Sequence, residues 1–169
     1  MSDEPLLESG MPEQSHSFTQ HRQLGECIGQ LVYEQPYAIL CTQGQGQPYG
    51  SLVAFAATED LKSVVFATPI STRKYRLLSE CDHVSLVVDS RSRSSEDMMN
   101  IEAVTATGRT VQIQPGHEFD KWSGLLTNRH RQLEDFVKSP TTALFRIDIV
   151  RYFHVSHFQE VRQWIPTLG

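Results

Sequence analysis

The chain has 169 residues, enough for one domain with a real core, or for one domain and a tail. Its formal net charge of −5 argues against a general nucleic-acid role, because phosphate-backbone binding wants a basic face. No apolar run reaches the roughly 18 residues of a membrane span, and the polar, acidic N-terminus shows no secretory signal. Three cysteines (Cys27, Cys41 and Cys81) lie far apart with no CxxC pair, which disfavours a disulfide framework or a zinc site and points to a reducing cytoplasm.

Met1 to about Ser17 is polar, with Pro5, Pro12 and several Glu and Ser, and reads as a disordered or loosely docked tail ahead of a single domain over residues 18–169. Leu24, Cys27, Ile28, Leu31 and Val32 recur at intervals of three and four, which predicts a helix over Phe18–Glu34 that Pro36 ends. Strands follow. Tyr37–Thr42 and Tyr49–Ala57 flank the turn-rich Gln43–Pro48, as a hairpin needs, and Cys41 in the first of them is expected to pack in the core. Ser63–Thr68 returns as a third strand, Thr72–Glu80 is a short helix, and His83–Asp89 is a fourth strand. Ser90–Asp97, with Arg91 and Arg93 among serines, reads as a mobile loop that could also reach an acidic ligand across a dimer.

Asn100–Ile113 alternates as a strand, and Gly108 marks a bulge or bend within it. Phe119–Val137 is predicted helical, with Trp122 packing it onto the sheet, and Pro140 closes it. Ala143–Val155 alternates along its length, with Phe145, Ile147, Ile149, Arg151 and Phe153 on one face and Leu144, Arg146, Asp148, Val150, Tyr152 and His154 on the other. Six or seven strands joined mostly by short turns favour antiparallel pairing, and a sheet of that kind closes its edges by becoming a barrel.

The segment Val64–Leu78 carries the strongest chemical signal. An apolar strand runs into Ser71-Thr72-Arg73-Lys74 at the start of an amphipathic helix. The first turn of a helix leaves backbone N–H groups without partners, and its dipole favours an anion there. Ser71 or Thr72 can cap the helix or donate to a phosphate oxygen; Arg73 can bind phosphate with two prongs and Lys74 adds a point charge. The plain alternative is a capped surface helix with solvated charges.

Taken in order, the strand, glycine-rich turn, strand, strand ending Phe66-Ala67-Thr68, the Ser71-Thr72-Arg73-Lys74 helix start and Val84-Ser85-Leu86-Val87-Val88-Asp89 resemble the FMN-binding split-barrel proteins related to pyridoxamine 5′-phosphate oxidase. Thr105-Ala106-Thr107-Gly108-Arg109 resembles the glycine-ended strand of that superfamily. Asn128-Arg129-His130, Leu144-Phe145-Arg146-Ile147 and Tyr152–Phe158 resemble its haem-utilisation branch. The resemblance implies a mostly β, antiparallel split β-barrel with flanking helices, forming a homodimer with FMN at the interface. It implies that Arg73 and Lys74, with Ser71 and Thr72 beside them, bind the FMN phosphate, that Ser51, Leu52, Val53 and Ala54 line the ribityl chain and ring, and that Ala67 and Thr68 complete the site. Three differences set the chain apart from the oxidase itself: Ser51 or Leu52 stands where it has an Arg, Ala103 stands near the place of its Gln, and its Arg-rich C-terminal extension has no counterpart here.

The histidines give a competing reading. His154 and His157, three apart on a strand, would converge only if the chain turns near Ser156, and His130 is expected to face solvent. Trp164 is expected to pack in the core or a dimer interface, or to cover a flavin. No hydrolase nucleophile pattern, convergent carboxylate pair or metal ligand set is read. The expectation is therefore a flavin-dependent oxidoreductase of unassigned substrate with a small-molecule substrate or electron donor, not a true pyridoxamine 5′-phosphate oxidase. The alternatives are a haem-binding or haem-degrading protein, a deazaflavin in place of FMN, or a flavin-binding protein without turnover; no catalytic acid or base is named, since a flavin hydride transfer requires none.

Overall fold

The computed structural model describes residues 18–91, 98–157 and 160–166. The expected tail at 1–17 and the greater part of the serine-rich loop, Arg93 included, lie outside the described residues. Helix α1 (Phe18–Glu34) is followed by strands β1 (Tyr37–Gly44), β2 (Gln47–Ala57) and β3 (Ser63–Pro69), helix α2 (Arg73–Glu80), and strands β4 (His83–Asp89) and β5 (Ala103–Ile113). Helices α3 (His117–Arg129) and α4 (Glu134–Lys138) then lead to β6 (Thr142–Ser156) and β7 (Glu160–Trp164). The strands run β3-β2-β1-β4-β5-β6-β7, all antiparallel, and β3 pairs again with β6 from Ser63↔Asp148 to Pro69↔Thr142. That second pairing closes six strands into a barrel, with β7 added outside β6.

Alternation places the core. Ala38, Leu40, Val53, Phe55, Val64, Phe66, Val84, Leu86, Val88, Val104 and Ala106 point inward, and Leu24, Ile28, Leu31 and Val32 of α1 pack against the same cluster. A second cluster lies on the barrel's outer surface, where Ala56, Val65 and Leu144 meet Trp122 and Leu126 of α3 and Val137 of α4. The β1–β2 hairpin turns through Gln45 (φ 52°) and Gly46 (φ 77°), the paired positive values of a two-residue turn that matches strand twist.

Several sequence expectations change. Cys41 is half-buried on the outer face of β1, opposite Ser85, because Leu40 and Thr42 take the inward positions; Cys27 is exposed on α1. The single helix expected over Phe119–Val137 is broken at His130, whose φ/ψ of −128°/73° leaves the helical region. The ring is buried there, with Nε2 2.9 Å from the Phe55 carbonyl oxygen, so His130 does not face solvent. The bulge read at Gly108 is present on the paired strand: Thr107 faces Arg151 and Gly108 faces Ile149, so Val150 is the extra residue. One extra residue reverses the alternation, and Tyr152 and His154 join Phe145 and Ile147 on the inner side.

Candidate functional site

The barrel opens between β2 and β3. Their pairing covers only Phe55↔Phe66, Ala56↔Val65 and Ala57↔Val64. Before Phe55, β2 keeps β1 as its neighbour; beyond Phe66, β3 keeps β6. The two strands diverge there, and the start of α2 stands at the mouth of the split. Thr72 is the helix cap. Its hydroxyl accepts from the Tyr75 N–H at 3.2 Å, donates to the Pro69 carbonyl at 2.8 Å, and lies 3.1 Å from the Thr68 hydroxyl. Of the two readings left open for Thr72, the structure supports the cap. The N–H groups of Arg73 and Lys74 belong to the first turn, which has no intrahelical acceptors for them.

Both cations reach β2. The Lys74 ammonium is 3.5 Å from the Leu52 carbonyl oxygen, and half-burial pushes its pKa below the ordinary lysine value. The Arg73 guanidinium lies over the Tyr49 ring, 5.2 Å from its centroid. Among the described residues neither makes an ion pair with a carboxylate, whereas Arg22, Arg91, Lys138 and Arg146 do.

The other sequence-predicted residues divide by face. Leu52 is 64% exposed, and Ala54 lies half-buried on the same outer face. Val53 is in the core, and the Ser51 hydroxyl turns toward the Leu40 carbonyl oxygen at 3.5 Å. Ala67 is half-buried, Thr68 is buried, and Ser71 is exposed at the helix start. Sequence reasoning named Leu52 without its carbonyl contact to Lys74 and missed Tyr49; an aromatic residue six positions before β2 meets β3 at Phe55 carries no sequence signature. It quoted Arg129 within a motif but gave it no role; Arg129 donates to the carbonyls of Val32, Tyr33 and Gln35 and so closes the C-terminal end of α1.

The histidines do not converge. His154 is buried beside Glu102 and Arg162, while His157, at φ 47° in the turn after β6, is exposed beside Glu160. Trp164 packs against Tyr152 and His21, in the core. Arg91 is paired with Asp89. Cys81, Asp82 and His83 bring three donor atoms within 4.8 Å of one another, but the Arg109 guanidinium already sits 3.2 Å from the His83 Nε2, where it would repel a cation. Two open clefts, of about 610 and 520 Å³, flank the turn at Glu59 and Asp60; Trp164 lines the second, and none of the residues assigned to the cofactor from Ser51 to Lys74 lines either.

The description "Pyridoxamine 5′-phosphate oxidase" belongs to the family model that matches residues 24–156, from α1 to the end of β6. The chain belongs to this family. The curated proteins contain no match to it. Among solved structures, it resembles a heme binding protein from Mycobacterium smegmatis at 14% identity and a TM-score of 0.72, over 82% of this chain and 56% of that one. It resembles HutZ, the heme storage protein of Vibrio cholerae, at 15% identity and 0.66, over 86% and 96% of the two chains. A FAD-binding protein from Mesorhizobium loti matches at 16% identity and 0.62, over 76% and 91%. At these identities the likeness establishes the split-barrel fold. The chain spans little more than half of the mycobacterial protein. Among the described residues, no helix of this family member is long and apolar enough to cross a membrane.

Proposed function

We propose that this protein is an FMN-binding flavoprotein that acts as a flavin-dependent oxidoreductase on a small-molecule substrate, in the cytoplasm and as a homodimer. The observation that carries the reading is the pair of cations at the mouth of the split, Arg73 and Lys74, held by β2 and, among the described residues, free of carboxylates. A phosphate monoester dianion suits that donor set, and the α2 dipole adds to it. The neighbouring outer face of β2, with Leu52 and Ala54, offers an apolar wall for the ring, and backbone groups beside Leu52 offer donors and acceptors for its polar edge. When bound, the flavin supplies the hydride or electron chemistry; the protein's residues bind, orient and shield it.

The split leaves the edge of β2 before Phe55 without β3 as a neighbour. The outer sheet face beside it carries Leu52, Ile39, Val87, Thr105 and Phe153 in one cross-strand row. A second copy laid on that face would bury Leu52 and complete the cofactor's enclosure. Ser51, Leu52 and Ala103 in place of the oxidase's Arg and Gln support a substrate other than pyridoxamine phosphate.

Titration of the purified chain with FMN, followed by flavin fluorescence, tests the reading. Arg73→Ala with Lys74→Ala removes two charge-assisted contacts, about 2–4 kcal/mol together, so FMN should bind about 30- to 700-fold more weakly. Equal affinity in the double variant would refute the site. Two of the similar structures are haem proteins, so haem is titrated in parallel. Uptake of haem without FMN would replace the flavin reading, and uptake of neither would turn the search to a deazaflavin.

A further inference from the structure

We propose that Tyr49 is a positioning residue for the phosphate of the bound flavin, holding the Arg73 guanidinium by its aromatic face so that the N–H edge stays free for the anion. The inference rests on the flavin reading above and adds to it a residue that neither the strand pattern nor the resemblance assigned.

Arg73 is exposed, and an exposed arginine explores many rotamers. The usual restraint is a carboxylate, as Asp148 restrains Arg146 through two bonds of 2.6 and 3.0 Å. A carboxylate would occupy the N–H donors and cancel the charge that a phosphate needs. The Tyr49 ring does neither. A guanidinium carbon 5.2 Å from the centroid is attracted by the quadrupole of the ring face, and a guanidinium stacked on such a face keeps the N–H donors of its own plane free. Lys74 is treated alike. Among the described residues its hydrogen-bond partner is the neutral Leu52 carbonyl, which takes a single donor of three at 3.5 Å. Both restraints come from β2, three residues apart, at the stretch where β2 has left β3. The strand that walls the flavin thus also aims the two cations at its phosphate, with neutral groups alone.

The test compares FMN with riboflavin, which lacks the phosphate, in the parent chain and in Tyr49→Leu, Tyr49→Phe, Arg73→Ala and Tyr49→Leu/Arg73→Ala. Circular dichroism and thermal melting check that each variant is folded. An exposed cation–aromatic contact corresponds to about a two- to fivefold change in affinity. Tyr49→Leu should weaken FMN by that factor and leave riboflavin unchanged, Tyr49→Phe should restore FMN binding, and Tyr49→Leu should have no further effect once Arg73 is Ala. Equal weakening of FMN and riboflavin, or the same loss with and without Arg73, would overturn the proposal, since Tyr49 would then act as a wall or a fold element. A parent that binds FMN, with Tyr49→Leu unchanged, overturns this inference alone; a parent that binds no FMN overturns the flavin reading and this inference with it.

Discussion

Gly108→Ala should destabilise the barrel more than its small size suggests. Gly108 sits opposite Ile149 at the β5–β6 register shift, and the bulge brings the Asp148 backbone across it. A Cβ built there would overlap the Asp148 carbonyl oxygen outright and would lie 3.0 Å from both its carbonyl carbon and the Ile147 Cγ2. The obstacle is strand backbone, which cannot rotate aside as a side chain would. Overpacking of this kind costs about 1–3 kcal/mol. Moving β6 away also weakens ladder hydrogen bonds worth about 1 kcal/mol each. We expect a loss of about 2–3 kcal/mol, and, at about 2–4 °C per kcal/mol for a chain of this size, a fall in Tm of about 4–12 °C. Urea unfolding followed by circular dichroism measures it. Gly124→Ala is the control: it lies within α3, a Cβ there meets nothing within 4 Å, and replacing a helical glycine should gain about 0.5–1 kcal/mol. A Gly108→Ala variant within about 0.5 kcal/mol of the parent, or one that moves in the same direction as Gly124→Ala, would refute the reasoning.

Stability should also fall on mild acidification. Burial holds the His154 imidazole below its ordinary pKa of 6.5, with Glu102 and Glu160 pulling it up and Arg162 pushing it down. Above pH 6.5 the ring is neutral whether the chain is folded or not; as the pH falls below 6.5 the unfolded chain takes the proton first, and stability drops until the folded ring also titrates. Urea midpoints between pH 8 and 5 should show that slope, and His154→Gln should flatten it; an unchanged slope would remove His154 as its source. Leu52→Glu, placing a carboxylate at the exposed end of the cross-strand row on the outer sheet face, should convert a dimeric parent into a monomer in sedimentation equilibrium. A parent that sediments as a monomer, or a variant that remains a dimer, would refute the proposed interface.

Much of the architecture was legible because it rests on local rules. The period of three and four over Leu24–Val32 placed α1 and its end at Glu34, the turn chemistry of Gln43–Pro48 placed the first hairpin, and Thr72 before Arg73 marked the start of α2. What sequence reasoning misread depends on contacts distant in sequence. His130 is polar and follows an arginine, yet the Phe55 carbonyl 75 residues away draws it inside. The faces of β6 reverse because one residue is added opposite Gly108, and a period-two pattern cannot show which strand of a pair carries the extra residue. The candidate site was half legible. Arg73 and Lys74 announce themselves, but their tethers to Tyr49 and Leu52 exist only once β2 has been folded alongside α2.

The divergence of β2 from β3 also bears on aggregation. A strand with a neighbour on one side is a template for another chain, and proteins blunt such edges with charges, prolines and brevity. β7 is five residues long and carries Glu160 and Arg162. The free half of β2 is longer and is guarded by Pro48, which has no N–H to offer, at its outer end. Further along, beside Leu52, β2 carries neither a charge nor a second proline, and Lys74 covers one carbonyl alone among the described residues. The same stretch is therefore the barrel's stickiest edge, and under the proposed reading a flavin seated in the split would also protect the fold from strand-to-strand association.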